Sequence, residues 1–251
     1  MTVSPLVSSA LRAVPPLPAG VWRADALARA QGGTVPSGHA PLDAELPDGG
    51  WPLGALVELL TATPGTPVWP LLLPALAARQ RAGGGVLALV QPPCPPFTPA
   101  LAAAGVRAAG VLWLAAEAPT SRLWAAEQAL RCADVTALLA WLPQARAGDL
   151  RRLHLAAAQR GDVLCFVQRP ATQAHAASPA PLRLRLETAR GAAPAPLAVD
   201  IVKRRGPSLA RPLMLPSQPP ALRALLAAHA PGQVSAALHG PIGERAQEAA
   251  A

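Results

Sequence analysis

The central part of the chain alternates short apolar runs with longer segments of helical character. The apolar runs are continuous, which is typical of strands in a parallel sheet that helices cover on both faces. We therefore predict parallel strands at residues 55–60, 86–90, 111–115, 135–142 and 163–168. The helices predicted with them span residues 72–82, 97–105, 120–133 and 146–160.

The pattern changes after residue 168. Apolar and polar positions alternate along residues 181–187 and 197–203, as in antiparallel strands with one buried and one solvent-facing side. A turn rich in Gly, Ala and Pro joins them at residues 189–196. The pattern therefore predicts an α/β fold with a mainly parallel sheet and a C-terminal antiparallel hairpin.

The two ends of the chain differ in composition from the middle. Residues 1–20 are rich in Pro and Ser and are predicted to be flexible, and residues 21–32 are predicted to hold a short N-terminal helix. The α/β core is predicted to span residues 33–205. Residues 206–251 are predicted to form a Pro-rich, partly disordered tail with a short helix.

The 251-residue chain carries a net charge of +8, and its excess of cations is concentrated late in the sequence. Residues 163–223 hold nine Lys and Arg against Glu187 and Asp200, a net charge of +7. Such a region suits an anionic partner such as nucleic acid, but a chain generally rich in Arg and Ala would show the same excess. Only one cation is a lysine, Lys203.

Several classes of protein are excluded by composition. The three cysteines lie far apart without metal-ligand spacing, so neither a disulfide scaffold nor a zinc site is expected. The N-terminus lacks the basic start of a signal peptide, and prolines interrupt both long uncharged stretches, 59–78 and 82–106. We expect a cytoplasmic protein with no membrane partner.

Two groups of residues resemble a RecA-type ATPase core. The lead-in to the first strand contains Ser37-Gly38, Leu42-Asp43, Gly49-Gly50, Pro52, Gly54 and Val57-Glu58-Leu59. Toward the other end, Gln168-Arg169 closes a strand and is followed by a loop and the hairpin. The resemblance implies a RecA-like three-layer core over residues 33–205.

A narrower resemblance is to ImuA, a RecA-like accessory family of bacterial damage-induced mutagenesis cassettes. It rests on strings in the same order along the chain: residues 21–25, 42–56, 71–77, 123–131, 139–143, 178–187 and 202–206. The resemblance implies a non-enzymatic accessory protein of error-prone translesion DNA synthesis. Its implied partners are an ImuB-like inactive Y-family-polymerase-like protein, an error-prone replicative-type polymerase and, as further candidates, RecA and DNA.

The expected nucleotide loop follows the first core strand but lacks the residues of a working P-loop. That motif needs G-x-x-x-x-G-K-[ST], because backbone N–H groups and the lysine hold phosphate and the hydroxyl holds magnesium. Val68 or Trp69 stands here where the hydroxyl is needed, and no lysine is present. The degenerate loop comprises Thr61, Thr63, Pro64, Gly65, Thr66 and Pro67.

The other catalytic positions of a RecA-like core are also changed. The strand at 86–90 is followed by Gln91 without an acid, and the strand at 135–142 has no aspartate at its end. Gln168 matches the family's phosphate-sensing glutamine as a relic. We therefore predict no ATPase activity, no cofactor and no metal site, since phosphoryl transfer depends on electrostatic stabilisation.

Two surfaces are candidates for contact with a partner. The first is a basic set at the hairpin and its approach: Arg169, Arg183, Arg185, Lys203, Arg204 and Arg205. The second is the N-terminal helix with Trp22 and Leu27. Two other functions remain open: a SulA-like inhibitor of cell division, which shares a degenerate RecA-type core, and a single-stranded DNA-binding protein or RecA filament modulator.

Overall fold

The computed structural model describes residues 33–63, 66–189, 195–207 and 209–218. These residues form an eight-stranded sheet with helices on both faces, together with a small two-stranded sheet. The predicted α/β class with a mainly parallel sheet is confirmed. The predicted segments 1–20 and 21–32, and the tail beyond residue 218, lie outside the described residues.

The parallel strands lie close to where the apolar runs predict them. Their bounds are β3 Ala55–Thr61, β4 Val86–Val90, β5 Val111–Leu114, β6 Val135–Trp141 and β7 Leu164–Pro170. The strand order is β5-β4-β6-β7-β3 from one edge to the centre. Each inner strand is buried on both faces, which explains why its sequence is apolar without alternation.

Four helices cover this part of the sheet. They are α2 Trp69–Gly83, α3 Thr98–Ala103, α4 Pro119–Arg131 and α5 Ala147–Arg160. Leu72 of α2 belongs to the same hydrophobic core as Val57 and Leu59 of β3. Leu130 of α4 and Leu153 of α5 belong to a second core, on the opposite face of the sheet. Alternate residues of each strand therefore enter alternate cores, as a pleated strand requires.

The late strands extend the sheet beyond β3. Their bounds are β8 Leu182–Thr188, β9 Leu197–Lys203 and β10 Leu213–Leu215. β8 runs parallel to β3 and antiparallel to β9, so the predicted hairpin is confirmed. β10 pairs with β9 and buries Leu215, so the sheet continues past the boundary predicted at residue 205.

A small unit precedes β3 and closes one face of the sheet. It consists of β1 Thr34–Val35, α1 Ala40–Asp43 and β2 Trp51–Pro52, with β1 antiparallel to β2. Trp51 is fully buried and packs edge-on against Phe166 of β7, with ring centroids 5.3 Å apart. Gly54 then turns the chain into β3 at φ +64, and a Cβ there would lie 2.7 Å from the backbone of Gly161.

A proline inside α2 is compensated from outside the helix. Pro74 has no N–H, so the carbonyl of Pro70 lacks its usual helical donor four residues later. The Nε2 atom of His39 lies 3.1 Å from this carbonyl oxygen and donates the missing hydrogen bond. The segment before α1 is thereby held against the first turn of α2.

Candidate functional site

Two threonines of the loop that follows β3 are hydrogen-bonded to each other. Thr66 donates its backbone N–H to the carbonyl of Thr63 at 3.1 Å, and the hydroxyls of the same two residues share a hydrogen bond of 3.0 Å. Thr66 is buried. The hydroxyls of both residues are thus engaged with each other at the carboxyl end of the central strand. Pro64 and Gly65 of the predicted loop lie outside the described residues.

The start of α2 offers little to a phosphate. Its first turn contains Trp69 and Pro70, and Pro70 supplies no N–H. Val68, which precedes the helix, is buried and carries no hydroxyl. The lone lysine, Lys203, lies on β9, and β8 separates β9 from β3. An ammonium group is therefore absent from this end of the central strand.

Two tryptophan rings occupy the region between α2 and β6. Trp69 begins α2 and Trp141 ends β6, and their ring centroids lie 6.2 Å apart at an interplanar angle of 46°. Trp141 is almost fully buried. β6 therefore ends in a buried aromatic side chain and not in a carboxylate.

The two glutamines near this end of the sheet are both engaged. Gln168 of β7 donates from Nε2 to the hydroxyl of Thr61 at 2.5 Å. Gln91, at the end of β4, has a positive φ of 49° and accepts the N–H of Ala116 at 2.7 Å through its side-chain oxygen. Gln168 thus ties β7 to the end of β3, and Gln91 holds the loop after β5.

A buried ion triad lies at the centre of the sheet, and sequence reasoning missed it. Glu58 of β3 is fully buried and accepts from Arg169 of β7 at 2.5 Å and from Arg183 of β8 at 2.7 Å. The sheet register places Glu58 directly opposite Arg183. A glutamate inside the apolar run 55–60 was the only sequence signal, since a buried carboxylate needs a cationic partner.

The triad corrects the prediction that Arg169 and Arg183 belong to an exposed basic surface. Both residues are buried, with relative exposures of 3% and 5%. Arg183 also donates to the carbonyls of Gln173 and Ala174, which follow β7. The alternating pattern predicts that Arg183 lies on the solvent-facing side of β8, but this position is buried.

The remaining predicted basic residues differ in how free they are. Arg204 is paired with the carboxylate of Glu45, and Arg185 with that of Asp200 at 2.6 Å. Lys203 is exposed and donates to the carbonyl of Ser178 at 3.1 Å. Arg205 is exposed, with no ion pair among the described residues. Of the six predicted residues, three are therefore held by internal contacts (Arg169, Arg183 and Arg204). Arg185 belongs to a half-exposed ion pair, and Lys203 and Arg205 are exposed. Trp22 and Leu27 of the predicted partner helix lie outside the described residues.

His154 of α5 accepts a hydrogen bond from the backbone of the central strand. Its Nδ1 atom accepts the backbone N–H of Leu56 at 3.3 Å, so this nitrogen must be unprotonated. Burial lowers the pKa of His154, and the positive charges of Lys203 and Arg151 lower it further. The neutral imidazole is thus the form that the fold favours.

We expect this contact to make stability depend on pH. The folded pKa of His154 lies below the unfolded value of about 6.5, so the unfolded chain binds the proton first as the pH falls. The free energy of unfolding should therefore decrease from about pH 7.5 toward pH 5.5, and more steeply in the wild type than in a His154→Gln variant. Urea unfolding of both proteins across this range tests the difference, and parallel curves would contradict the role of His154.

Neither a metal cluster nor a reactive thiol within the sheet occurs among the described residues, whereas Cys94 and Cys132 are exposed. No group of three or more His, Cys, Asp or Glu side chains in this part of the chain is placed to hold a metal ion. Burial raises the pKa of the Cys165 thiol to about 12, so it stays protonated inside β7. None of the helices in the described ranges combines the length and apolar character needed to span a bilayer.

Comparison with known proteins does not assign a family: no family model matches the chain, and the search of curated proteins returned no match.

Proposed function

We propose that this protein is a non-catalytic, RecA-like accessory protein of damage-induced, error-prone translesion DNA synthesis. The observation that supports the non-catalytic part of the proposal is the Trp69–Trp141 pair, which lies at the start of α2 and the end of β6, where the RecA resemblance would require a hydroxyl and a carboxylate for magnesium. Without these groups and a lysine, phosphoryl transfer has no source of electrostatic stabilisation. The protein then acts by holding partners together.

Support for a RecA-like core comes from the order of the elements. The degenerate loop follows the central strand β3, Gln168 lies near the end of the neighbouring strand β7, and the β8–β9 hairpin comes next. This is the order expected from the resemblance. The partners proposed from the ImuA resemblance are an ImuB-like protein and an error-prone replicative-type polymerase, with RecA as a further candidate.

Direct DNA binding and division inhibition are weaker alternatives. The internal contacts of Arg169, Arg183 and Arg204 remove them from an exposed basic track. A DNA-binding function would require affinity that falls steeply with salt. A SulA-like inhibitor would cause filamentation when overproduced, and nothing in the described residues favours that function over the accessory one.

We expect deletion of the gene to abolish ultraviolet-induced mutation and to leave ordinary growth unchanged. A plasmid copy should restore mutation, and so should a Gln168→Ala copy, because no step uses this residue to sense phosphate. The measurement is the frequency of induced drug-resistant mutants. Unchanged mutagenesis in the deletion strain would contradict the translesion role. Failure of a folded, normally abundant Gln168→Ala protein to complement would contradict the non-catalytic role alone.

A further inference from the structure

A surface groove follows the N-terminal half of α4, on the face of the sheet that α4 and α5 cover. It consists of two adjoining cavities of about 340 and 1020 Å³, which share Thr120, Leu123 and Asp149 in their walls. The smaller lies between the first turns of α4 and α5, and the larger extends along α4 toward β5. We call it the α4 groove; its principal residues are Leu114, Arg122, Leu123, Trp124, Arg146 and Arg152.

One wall of the α4 groove is apolar and contains an exposed tryptophan. Leu114 and Leu123 are half-buried and pack against the core beneath α4. Trp124 is 64% exposed, although the neighbouring residues Ala126 and Leu130 of the same helix are buried. A tryptophan left in water next to partly buried leucines is typical of a surface that gains stability when a partner covers it.

The rim of the α4 groove is cationic. Arg146 precedes α5 and has no ion pair among the described residues, whereas Arg152 pairs with Glu127 and keeps a side chain that is 58% exposed. Arg122 donates one N–H to the carbonyl of Ala116, which leaves its other donors available. The amino ends of α4 and α5 add partial positive charge at the same place.

Carboxylates in the α4 groove cancel only part of the positive charge of its arginines. Of the two that line it, Asp149 is engaged by the backbone N–H of Arg146 at 2.9 Å. Glu117 is the other, in the loop before α4. With the Glu127 pairs included, four guanidinium groups (Arg122, Arg131, Arg146 and Arg152) face three carboxylates (Glu117, Glu127 and Asp149), so one positive charge is left over beside an apolar wall. Nucleic acid fits poorly here, because a polyphosphate chain would pass both carboxylates, whereas a peptide can place its acidic side chains selectively.

From this combination we propose that the α4 groove binds an acidic peptide segment of a partner protein. The segment places one large apolar side chain against Trp124 and Leu123, and its carboxylates pair with Arg122 and Arg146. Trp and Arg are also the residue types that dominate binding energy at protein interfaces. The inference does not depend on the translesion role, since it rests on the charge and shape of the groove alone.

The test is a titration of the full-length, ¹⁵N-labelled protein with a synthetic peptide of glutamates around a central Leu-Phe pair. The indole N–H signal of Trp124, assigned with a Trp124→Phe variant, should shift and saturate, while that of Trp113 stays in place. A peptide with glutamine for glutamate, and one with serine for the Leu-Phe pair, should each bind at least about tenfold more weakly.

Matched variants separate the groove from general effects of charge and exposed aromatics. Trp124→Ala and Arg146→Glu should each weaken peptide binding by about tenfold or more. Trp113→Ala and Arg205→Glu change an exposed tryptophan on β5 and an exposed arginine after β9, outside the groove, and should alter binding less than about twofold. All four positions are exposed, so the variants should stay folded, which urea unfolding checks.

Three results would overturn the proposal. The first is a peptide titration that does not saturate, and the second is binding that Trp124→Ala and Arg146→Glu leave unchanged. The third is displacement of the peptide from Trp124 by inorganic phosphate or by a single-stranded oligo-thymidine at equal concentration, which would make the groove a general anion site.

Discussion

Replacing Glu58 with glutamine is expected to lower the free energy of unfolding by about 3–5 kcal/mol. The change keeps the shape of the side chain but leaves Arg169 and Arg183 charged and buried without a counter-ion. Removing one partner of a buried pair is costly because the remaining charge cannot recover its hydration. Urea unfolding of the full-length protein at pH 7.5 measures the loss.

Two controls separate the buried charge from other effects. Glu127→Gln removes a carboxylate that is buried but whose partners Arg131 and Arg152 are about 60% exposed and can be hydrated, so its cost should be well below that of Glu58→Gln. The triple variant Glu58→Leu, Arg169→Met and Arg183→Leu should recover only part of the stability lost in the single variant, because it removes the unpaired charges but also the donors to the carbonyls of residues 145, 173 and 174. A Glu58→Gln cost as small as that of Glu127→Gln would contradict the account.

The triad also connects the sheet to the loops at its carboxyl edge. Arg169 donates to the carbonyl of Ala145, before α5, and Arg183 to those of Gln173 and Ala174, after β7. The buried charges therefore hold in place the segments that follow β6 and β7. Residue 145 is also part of the smaller cavity of the α4 groove, so the triad supports one wall of the proposed binding surface.

Replacing Trp51 with alanine is expected to cost about 3–5 kcal/mol, as for other large aromatic side chains removed from a core. Trp51 is fully buried and packs edge-on against Phe166, so its loss leaves a cavity between β2 and the sheet. The free energy of unfolding by urea measures the cost. The small N-terminal unit would then no longer be held firmly on β7.

The matched control for this prediction is Trp51→Phe. The indole N–H of Trp51 is buried without a hydrogen-bond partner in the described residues, so phenylalanine breaks no hydrogen bond while keeping an aromatic ring. We expect it to cost less than half as much as alanine. Equal costs for the two variants would show that ring packing against Phe166 does not hold this unit.

Most of the fold was predictable because its signal is local. The predicted strand at 86–90 has the same bounds as β4, and the second strand of the hairpin the same bounds as β9. The observed elements differ from the predicted ones mainly at their ends. For example, α2 begins at Trp69 instead of the predicted residue 72, because the first turn of a helix tolerates a proline such as Pro70. The short β10 carries too little alternation to be recognised.

The candidate site was predictable only as a set of missing groups. The sequence alone shows that the loop after β3 has no lysine, and that Val68 or Trp69 stands where a magnesium-binding hydroxyl would be needed. The contact between Trp69 and Trp141 joins residues far apart in sequence, so no local pattern indicates it. The same holds for Gln168, whose hydrogen bond to Thr61 spans neighbouring strands of the sheet.

The sequence by itself determined the α/β class, the order of strands and helices along the chain and the absence of a lysine from the loop after β3. These properties depend on residue type and short-range periodicity. Only the tertiary structure decided which arginines are exposed. Strand pairing places Arg169 and Arg183 beside the buried carboxylate of Glu58, whereas Arg146 and Arg152 remain at the surface of the α4 groove. The physical reason is that a charge is neutralised by neighbours in space, and register and packing bring those neighbours together from distant positions in the chain.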